Sequence, residues 1–347
     1  MDSSMDLKSM TLEELTDCVM ELGEKKFRAK QIYRWLHQKL VRSPEEMKNV
    51  PAKCIEKLLK EHPFYGVEEV EHYVSKIDGT QKFLFSLHDG NMVESVLMKY
   101  KHGNSVCISS QAGCRMGCKF CASTLGGLDR NLTPSEMLSQ IYYIQRDTGE
   151  RVSNVVMMGT GEPMDNYDNV LRFLELITSE NGLNISQRNI TISTCGIVPK
   201  IKELAQKHLQ ITLAISLHSP NDEMRRGLMP IAMKYSIDEL LDACHYYFKE
   251  TNRRMTFEYS LVAGVNDQPV HAEELAGRLK GFPCHVNLIP VNPIKERDFK
   301  QSMPKSVMEF KKILEKNRVN VTIRREMGAD INAACGQLRR KKLQSRL

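Results

Sequence analysis

The stretch Cys114-Arg-Met-Gly-Cys118-Lys-Phe-Cys121 places three cysteines in the spacing C-x3-C-x2-C. A short loop with this spacing can direct three thiolates at one face of an iron–sulfur cube. A 4Fe-4S cluster normally takes four cysteine ligands, so a loop with three leaves one iron open to a substrate or cofactor. An open iron beside S-adenosylmethionine can pass it one electron and release an adenosyl radical. The spacing therefore predicts radical chemistry, provided that the fold matches.

Two other uses of these cysteines fit the sequence less well. A structural zinc site requires four ligands, and the sequence contains no second C-x2-C or H-x3-H pair. A disulfide framework requires an oxidising compartment, whereas the polar start Asp2-Ser-Ser-Met-Asp-Leu-Lys8 does not look like an export signal. We therefore expect a reduced, cytoplasmic setting. Four further cysteines lie in helix-like or strand-like contexts and are expected to be buried spacers: Cys18, Cys54, Cys244 and Cys284.

The chain has 347 residues, enough for one large domain and a smaller one, and no apolar run approaches the length of a membrane span. Its formal charge of +6 is concentrated in two basic clusters. Clustered basic residues with aromatics suit a phosphate backbone and base stacking, and the alternative is a solvated helix face and a charged tail. The first cluster holds Lys25, Lys26, Arg28, Lys30, Arg34 and Lys39 with Phe27, Tyr33 and Trp35; the second holds Arg339, Arg340, Lys341, Lys342 and Arg346.

The first hundred residues predict a small accessory module. Helical periodicity covers residues 11–22, 27–40 and 45–61, and strand-like alternation covers 66–73, 81–87 and 93–100. The turns Asp78-Gly79 and Asp89-Gly90 separate these strands. We expect this module to occupy residues 1–99 and to join the main domain, residues 100–347, through the segment 99–104.

From residue 104 onward, strands and helices alternate. Strands are predicted at 105–109, 155–158, 189–193, 212–217, 256–261, 285–289 and 319–324, with helices between them. The capping boxes Thr133-Pro-Ser-Glu136 and Ser236-Ile-Asp-Glu239 mark two helix starts. Alternation of this kind implies parallel strands with right-handed helical crossovers. The predicted fold is α/β, a partial, open parallel β/α barrel.

Catalytic groups in such folds gather at the carboxyl ends of the strands. The cysteine loop follows the first strand of the barrel. Each of the other candidates has an ordinary structural interpretation, but they share one rim. They are Gly161 and Glu162 after the second strand, Ser193 after the third, Ser216, Leu217 and His218 ending the fourth, Asn292 after the strand at 285–289, and Cys335 beyond the last.

Four motifs in this order closely resemble the radical S-adenosylmethionine methyltransferases that act on adenine C2 of 23S ribosomal RNA and transfer RNA. They are Cys107-Ile-Ser-Ser-Gln-Ala-Gly-Cys114, Met158-Gly-Thr-Gly-Glu-Pro163, Ser216-Leu-His-Ser-Pro-Asn221 and Ala334-Cys335-Gly-Gln-Leu338. The resemblance runs from about Gly23 to the C-terminus. It implies a barrel of radical-SAM type with an N-terminal helical RNA-docking module, acting as a monomer.

The resemblance implies a reaction that uses two molecules of S-adenosylmethionine. The first methylates Cys335, and the second yields the radical that takes a hydrogen atom from that S-methyl group. The resulting carbon radical adds to adenine C2. Cys107 then resolves the protein–RNA adduct through a transient disulfide with Cys335, and Glu94 is the proton acceptor. Read alone, Glu94 fits an exposed strand carboxylate, Cys107 an inert core cysteine and Cys335 a surface thiol.

The same resemblance assigns the binding residues. Cys114, Cys118 and Cys121 hold one 4Fe-4S cluster, and Gly161 and Glu162 meet the amino group of S-adenosylmethionine. Ser193, Asn292 and the segment Ser216–His218 hold its ribose, carboxylate and adenine. The substrate adenosine must be turned out of its stack to reach a buried cluster. A flavodoxin or ferredoxin is the expected electron donor.

One departure and two rival functions stay open at this point. The family commonly has Asp where Asn332 precedes the methyl-carrying cysteine, which changes local charge but no residue assigned to chemistry. The nearest rival is the sister enzyme that methylates C8 of the same adenosine, although Gly161-Glu162-Pro163 and Arg324-Arg325-Glu326 are more similar to the C2 enzymes. The rival from another class is a non-catalytic RNA-binding protein with structural zinc.

Overall fold

The computed structural model describes residues 5–292, 297–331 and 333. Its N-terminal part consists of three helices, α1 (Leu12–Glu21), α2 (Phe27–His37) and α3 (Ala52–Glu61), as the periodicity predicted. A capping box between Thr11 and Glu14 begins α1 because it satisfies backbone donors at both positions. The helices enclose a small apolar core of their own, which includes Leu15, Leu36 and Cys54.

A ten-stranded sheet forms the rest of the fold. Strands β1, β2, β3 and β4 pair antiparallel in chain order, and from β4 through β7 to β12 the neighbouring strands are parallel. A separate hairpin, β5 with β6, frames the cysteine loop. The strands are β1 (Glu68–Val74), β2 (Gln81–Ser86), β3 (Met92–Tyr100), β4 (Gly103–Cys107), β5 (Gln111–Gly113), β6 (Leu128–Asn131), β7 (Val152–Met157), β8 (Ile190–Thr194), β9 (Thr212–Ser216), β10 (Met255–Leu261), β11 (Cys284–Pro290) and β12 (Asn320–Ile323).

Helices follow the parallel strands and cover the sheet. Apolar strand residues such as Leu213, Phe257 and Val286 are fully buried beneath them, as expected for parallel strands with both faces covered. The helices are α4 (Pro134–Thr148), α5 (Tyr167–Thr178), α6 (Val198–Ala205), α7 (Asp222–Leu228), α8 (Ile237–Thr251), α9 (Pro269–Arg278) and α10 (Pro304–Lys316).

The structure confirms the predicted α/β fold with an open, mostly parallel sheet and an N-terminal helical module. In the described part of the chain, β1 and β12 are the two edges of the sheet, so the barrel does not close. Strands β1 to β3 continue the sheet of the barrel, whereas α1 to α3 lie outside it; the division at residue 99 stays a prediction. The short helix α7 and the β5–β6 hairpin were not predicted.

Buried polar contacts join the helical module to α4 of the barrel. Lys8 Nζ donates to Ser139 Oγ at 3.0 Å, and His37 Nδ1 lies 2.7 Å from the hydroxyl of Tyr142. Burial lowers the pKa of His37 to about 3, so its ring is neutral at physiological pH. Because these groups are withdrawn from water and hydrogen-bonded, the module is held in a defined position on the barrel. Across the described ranges, no helix combines the length and apolar character that crossing a membrane requires.

Candidate active site

The cysteine loop is fixed by its own backbone. The amide of Cys114 donates to the carbonyl oxygen of Gly127 at 2.7 Å, which ties the loop to the β5–β6 hairpin. Thr124 Oγ1 donates to the carbonyl oxygens of Cys118 and Cys121 at 3.1 and 3.0 Å. Gly113 has φ +82°, and a Cβ there would lie 2.1 Å from the oxygen of Gly127. Only glycine therefore fits where the loop leaves β5.

The three thiols line one cavity of about 250 Å³ at the carboxyl ends of the parallel strands. Cys114 and Cys118 are buried, and burial raises the pKa of Cys114 to about 12 and that of Cys118 further. The charged thiolate is therefore disfavoured unless a positive partner is present. Three convergent soft sulfur ligands on a fixed loop fit an iron–sulfur cluster that keeps one iron open.

The cavity of the cysteine loop is also lined by most of the residues predicted to bind S-adenosylmethionine. The loop after β7 contributes Gly161 and Glu162, and the ends of β8 and β9 contribute Ser193, Ser216 and His218. The hydroxyls of Ser193 and Ser216 are 3.4 Å apart. Leu217 instead packs in the apolar core, and Asn292 lines a neighbouring cavity. The structure thus brings together five of the seven predicted contacts.

Glu162 is a buried carboxylate held by backbone donors. Its two oxygens accept the amides of Met164 at 3.0 Å and Cys195 at 2.7 Å. Burial raises its pKa, and these hydrogen bonds oppose the shift. A buried carboxylate facing the cavity offers an acceptor for an ammonium group. That is the partner predicted for this residue.

His218 is a neutral ring whose orientation is fixed. Its Nδ1 accepts the amide of Ser260 at 2.9 Å, so the proton resides on Nε2. Burial, with the nearby charge of Arg225, lowers its pKa to about 3. The backbone φ of +57° is unusual for a histidine and turns the chain at the end of β9. The ring therefore presents its edge to Phe120 of the cysteine loop, with ring centres 4.7 Å apart.

Gly161 provides a test of this loop. Its φ is +112°, and a Cβ would lie 2.6 to 2.8 Å from Gln111 and Ser110. We expect Gly161→Ala to lower the free energy of unfolding by about 2 kcal/mol or more, because it adds strain and a backbone clash. Gly277→Ala is the control, since a Cβ there meets nothing within 4 Å and alanine favours α9. Urea denaturation measures both, and equal stabilities would contradict the prediction.

A second cavity, of about 430 Å³, adjoins the first. The two share Met158, Ile289 and Arg324 in their walls. Cys107, at the end of β4, is buried in a small apolar cluster and lines the second cavity. Arg325 and Asn292 line it as well. Glu326 lies in the same wall, so this polar cavity beside the cysteine loop carries charges of both signs.

The chain that leads to Cys335 is attached to the same region. Ala333 and Cys107 belong to one apolar cluster and line the same cavity. The carboxylate of Asp330 accepts Ser75 Oγ at 2.6 Å and the amide of Lys76 at 2.9 Å, which ties the segment to the β1–β2 turn. Cys335, Asn332 and the C-terminal basic cluster lie outside the described residues. Residue 333 is nevertheless only two positions before the predicted methyl carrier.

Glu94 lies on β3 and is buried, not exposed. Its carboxylate is 3.0 Å from the ammonium group of Lys82, which is equally buried. Glu94 is on the same face of β3 as Val96 and Met98, which line the second cavity, since side chains alternate along a strand. Glu94 itself is in the wall of neither cavity. Its role as proton acceptor stays a prediction.

Three residues of the site were not identified from the sequence. Cys195 follows β8 and places a fourth thiol in the cavity of the cysteine loop. Glu258 lies inside β10, lines the same cavity and accepts Asn287 Nδ2 at 2.9 Å. Arg225 lies behind the cavity wall on α7. The position of Cys195 directly after Ser193 and Thr194 was the one available signal, because strand ends carry the chemistry in this fold.

Comparison with known proteins agrees with this geometry. A model of the Radical SAM superfamily matches residues 108–276, and a model of the ribosomal RNA large subunit methyltransferase N-terminal domain matches residues 5–62. A solved radical SAM methyltransferase from Sphaerobacter thermophilus superposes with a TM-score of 0.92 at 41% identity, covering 96% of this chain and 98% of that one.

Two curated relatives match at higher identity, and both are described as "probable dual-specificity RNA methyltransferase RlmN". The protein from Lachnoclostridium phytofermentans is 64% identical over 97% of this chain and 94% of its own length. The protein from Lachnospira eligens is 63% identical over 97% of this chain and 96% of its own length. With this identity over nearly the full length of both partners, the chain belongs to the RlmN family of RNA methyltransferases within the radical SAM superfamily.

Proposed function

We propose that this enzyme methylates C2 of an adenosine in both 23S ribosomal RNA and transfer RNA, using two molecules of S-adenosylmethionine per turnover. The observation that carries the proposal is the pair of adjoining cavities. One is lined by the three-cysteine loop, and the other contains Cys107 beside the segment that leads to Cys335. The dual specificity in the names of the relatives supports two RNA substrates.

Cys114, Cys118 and Cys121 hold the 4Fe-4S cluster in this proposal. Gly161, Glu162, Ser193, Ser216 and His218, which line the same cavity, bind S-adenosylmethionine. When bound, this pair supplies the electron and the radical that removes a hydrogen atom from an S-methyl group. Several residues of the cavity wall, including Cys118 and Glu162, are buried, which limits the water around them.

Cys335 and Cys107 carry the covalent steps. The thiolate of Cys335 attacks the methyl carbon of a first S-adenosylmethionine, forming an S–CH3 bond and releasing the thioether product. The same carbon, after loss of one hydrogen atom, forms a bond to adenine C2. The adduct then loses one electron, which returns to the oxidised cluster held by Cys114, Cys118 and Cys121, and Glu94 accepts the C2 proton that leaves with it. Attack of the Cys107 thiolate on the sulfur of Cys335 forms a disulfide and breaks the sulfur–carbon bond, leaving the electron pair on carbon, where a proton completes the methyl group.

Contacts of the described residues support this division of labour. Cys107 needs a position within reach of Cys335 but outside the cluster cavity, and it lines the second cavity together with Ala333. Arg324 belongs to both cavities, and Arg325 and Glu326 line the second one. The two arginines suit the phosphates of a nucleotide.

The helical module supplies the RNA-docking surface in this proposal. Arg28 lies over the ring of Phe27 on α2 at 4.8 Å, and just after the helix the ammonium group of Lys39 lies 3.5 Å from the centre of the Trp35 ring. Phe27 is 47% exposed, which leaves an aromatic face for stacking. Basic groups next to an exposed and a half-buried aromatic ring suit a folded RNA. A flavodoxin or ferredoxin supplies electrons to a monomeric enzyme in the cytoplasm.

The product nucleoside tests the proposed function. We expect anaerobically prepared, iron-loaded enzyme to convert adenosine in a ribosomal RNA fragment and in a transfer RNA to 2-methyladenosine, identified by mass spectrometry against synthetic standards. Exclusive formation of 8-methyladenosine would instead identify the sister activity. A colourless protein that contains zinc and no iron or sulfide would support the RNA-binding alternative. Transfer RNA left unmodified would remove one of the two proposed substrates.

A further inference from the structure

Arg225 is a fully buried arginine whose guanidinium donates to backbone carbonyl oxygens. It lies on α7, with none of its side chain exposed, and is among the largest fully buried side chains of the chain. Its hydrogen bonds go to backbone carbonyl oxygens: Nε donates to Leu217 at 3.1 Å, and Nη2 donates to Cys195 at 2.7 Å and to Ser216 at 3.4 Å. Within the described ranges, Nη1 has no hydrogen-bond partner and no carboxylate forms an ion pair with this group.

The thiols of Cys118, Cys195 and Cys244 interact electrostatically with this cation, as does the carboxylate of Asp222 on the same helix. Asp222 also accepts the amide of Ile237 at 2.8 Å. The buried carboxylate of Glu162 accepts the amide of Cys195, whose carbonyl oxygen accepts Arg225 Nη2. Cys118 and Cys195 line the cavity of the cysteine loop. The positive charge therefore lies directly behind the wall of the proposed cluster site.

A buried charge is costly unless an opposite charge accompanies it. Protonated thiols do not supply that charge, whereas three metal-bound thiolates do. Carbonyl oxygens accept hydrogen bonds from some N–H groups of the guanidinium, but they carry no net charge that could balance it. The geometry is therefore that of a cation placed in advance for an anionic group in the cavity.

We propose that Arg225 is the charge-compensating residue of the iron–sulfur site, a positioning residue that favours the reduced cluster. The inference rests on the proposed binding of a cluster by Cys114, Cys118 and Cys121. Reduction adds one negative charge beside a fixed cation, which stabilises the reduced state and raises the reduction potential. The same guanidinium holds the backbone after β8 and at the end of β9, where S-adenosylmethionine binds in this proposal.

Three variants separate charge from shape. Arg225→Met keeps a long side chain and removes the charge, Arg225→Lys keeps the charge, and Arg226→Gln changes an exposed neighbour as a control. We expect the methionine variant to shift the reduction potential downward so that the reduced-to-oxidised ratio at the wild-type midpoint falls about tenfold, which equals about 59 mV for one electron. The lysine variant should shift less than half as far, and Arg226→Gln should not shift. Anaerobic titration followed by electron paramagnetic resonance measures each potential.

The variants distinguish an effect of the positive charge from an effect of the hydrogen bonds or of folding. Equal shifts in the methionine and lysine variants would show that the hydrogen bonds matter rather than the charge, and unchanged potentials in both would remove the role altogether. If the methionine variant folds without iron but retains no cluster, while the lysine variant retains it, the proposal is supported. Loss of the iron-free fold in both variants, seen by circular dichroism, would make Arg225 a structural residue and overturn it. If the wild-type protein lacks iron and sulfide, the proposed function is contradicted as well. If the wild type is loaded with iron but Arg225→Met leaves the reduction potential unchanged, only the proposed role of Arg225 is contradicted.

Discussion

Replacing Cys107 with alanine is expected to stop the reaction at a covalent adduct between the RNA and Cys335. The thiol of Cys107 is the group proposed to break the sulfur–carbon bond of that adduct, and alanine has no nucleophile. Multiple-turnover product formation should fall by about 10³-fold or more, as when a covalent catalytic residue is removed. A band of protein-bound RNA on a denaturing gel, with mass spectrometry of the linked peptide, measures the trapped species.

Cys54→Ala is the matched control for this experiment. Cys54 is also a buried cysteine, but it lies in the core of the helical module. We expect this control to form product without an accumulating adduct. If Cys107→Ala contains a full complement of iron and binds RNA yet yields no adduct, Cys107 is not the resolving residue. Abolition of the adduct in Cys107→Ala/Cys335→Ala would identify Cys335 as the attachment point.

Removing one sulfur of the cysteine loop is expected to abolish the cluster. Cys118→Ser should leave the anaerobically purified protein without iron, sulfide and the absorbance of thiolate–iron charge transfer near about 400 nm. The physical reason is that the cluster needs all three thiolates of the loop, and a serine hydroxyl, which is hard and protonated, is a poor ligand for iron in such a cluster. Activity should disappear with the cluster, since no other described group supplies an electron.

Cys195→Ser is the control that discriminates between metals. Cys195 lines the same cavity as the loop cysteines but lies outside the C-x3-C-x2-C spacing. We expect this variant to keep its iron and sulfide. A tetrahedral zinc site would need a fourth ligand, and Cys195 offers a thiol for it. Loss of metal from both Cys118→Ser and Cys195→Ser, with zinc in the wild type, would therefore favour the structural-metal alternative.

Local signals predicted most of the secondary structure. The capping boxes at Thr133 and Ser236 do begin α4 and α8, because each hydroxyl accepts the backbone amide three residues later. Apolar runs such as Ile190–Thr194 are strands, since a parallel sheet buries both of its faces. Helix α7 was not predicted because it is seven residues long and contains Gly227. The hairpin of β5 and β6 was not predicted because its strands are three and four residues long.

Part of the candidate site could be predicted in the same way, since strand ends meet at one rim. Ser193, Ser216 and Glu162 share a cavity because their strands, β7 to β9, are neighbours in the sheet. Asn292 lies in the adjoining cavity instead, because it follows β11, farther along the sheet. Leu217 and His218 are consecutive, yet only His218 faces the cavity. Side-chain direction after a strand depends on a backbone turn that periodicity does not reveal.

The spacing of the three cysteines from Cys114 to Cys121 predicted the chemistry from sequence, because ligand type and spacing are local properties of the chain. Only the tertiary structure decided which other residues line the cavity of these cysteines. A fourth thiol at Cys195, the buried cation of Arg225 and the cluster that holds both Ala333 and Cys107 join segments far apart in sequence. Such contacts depend on how the sheet and its helices pack, and packing brings together residues whose separation along the chain carries no signal.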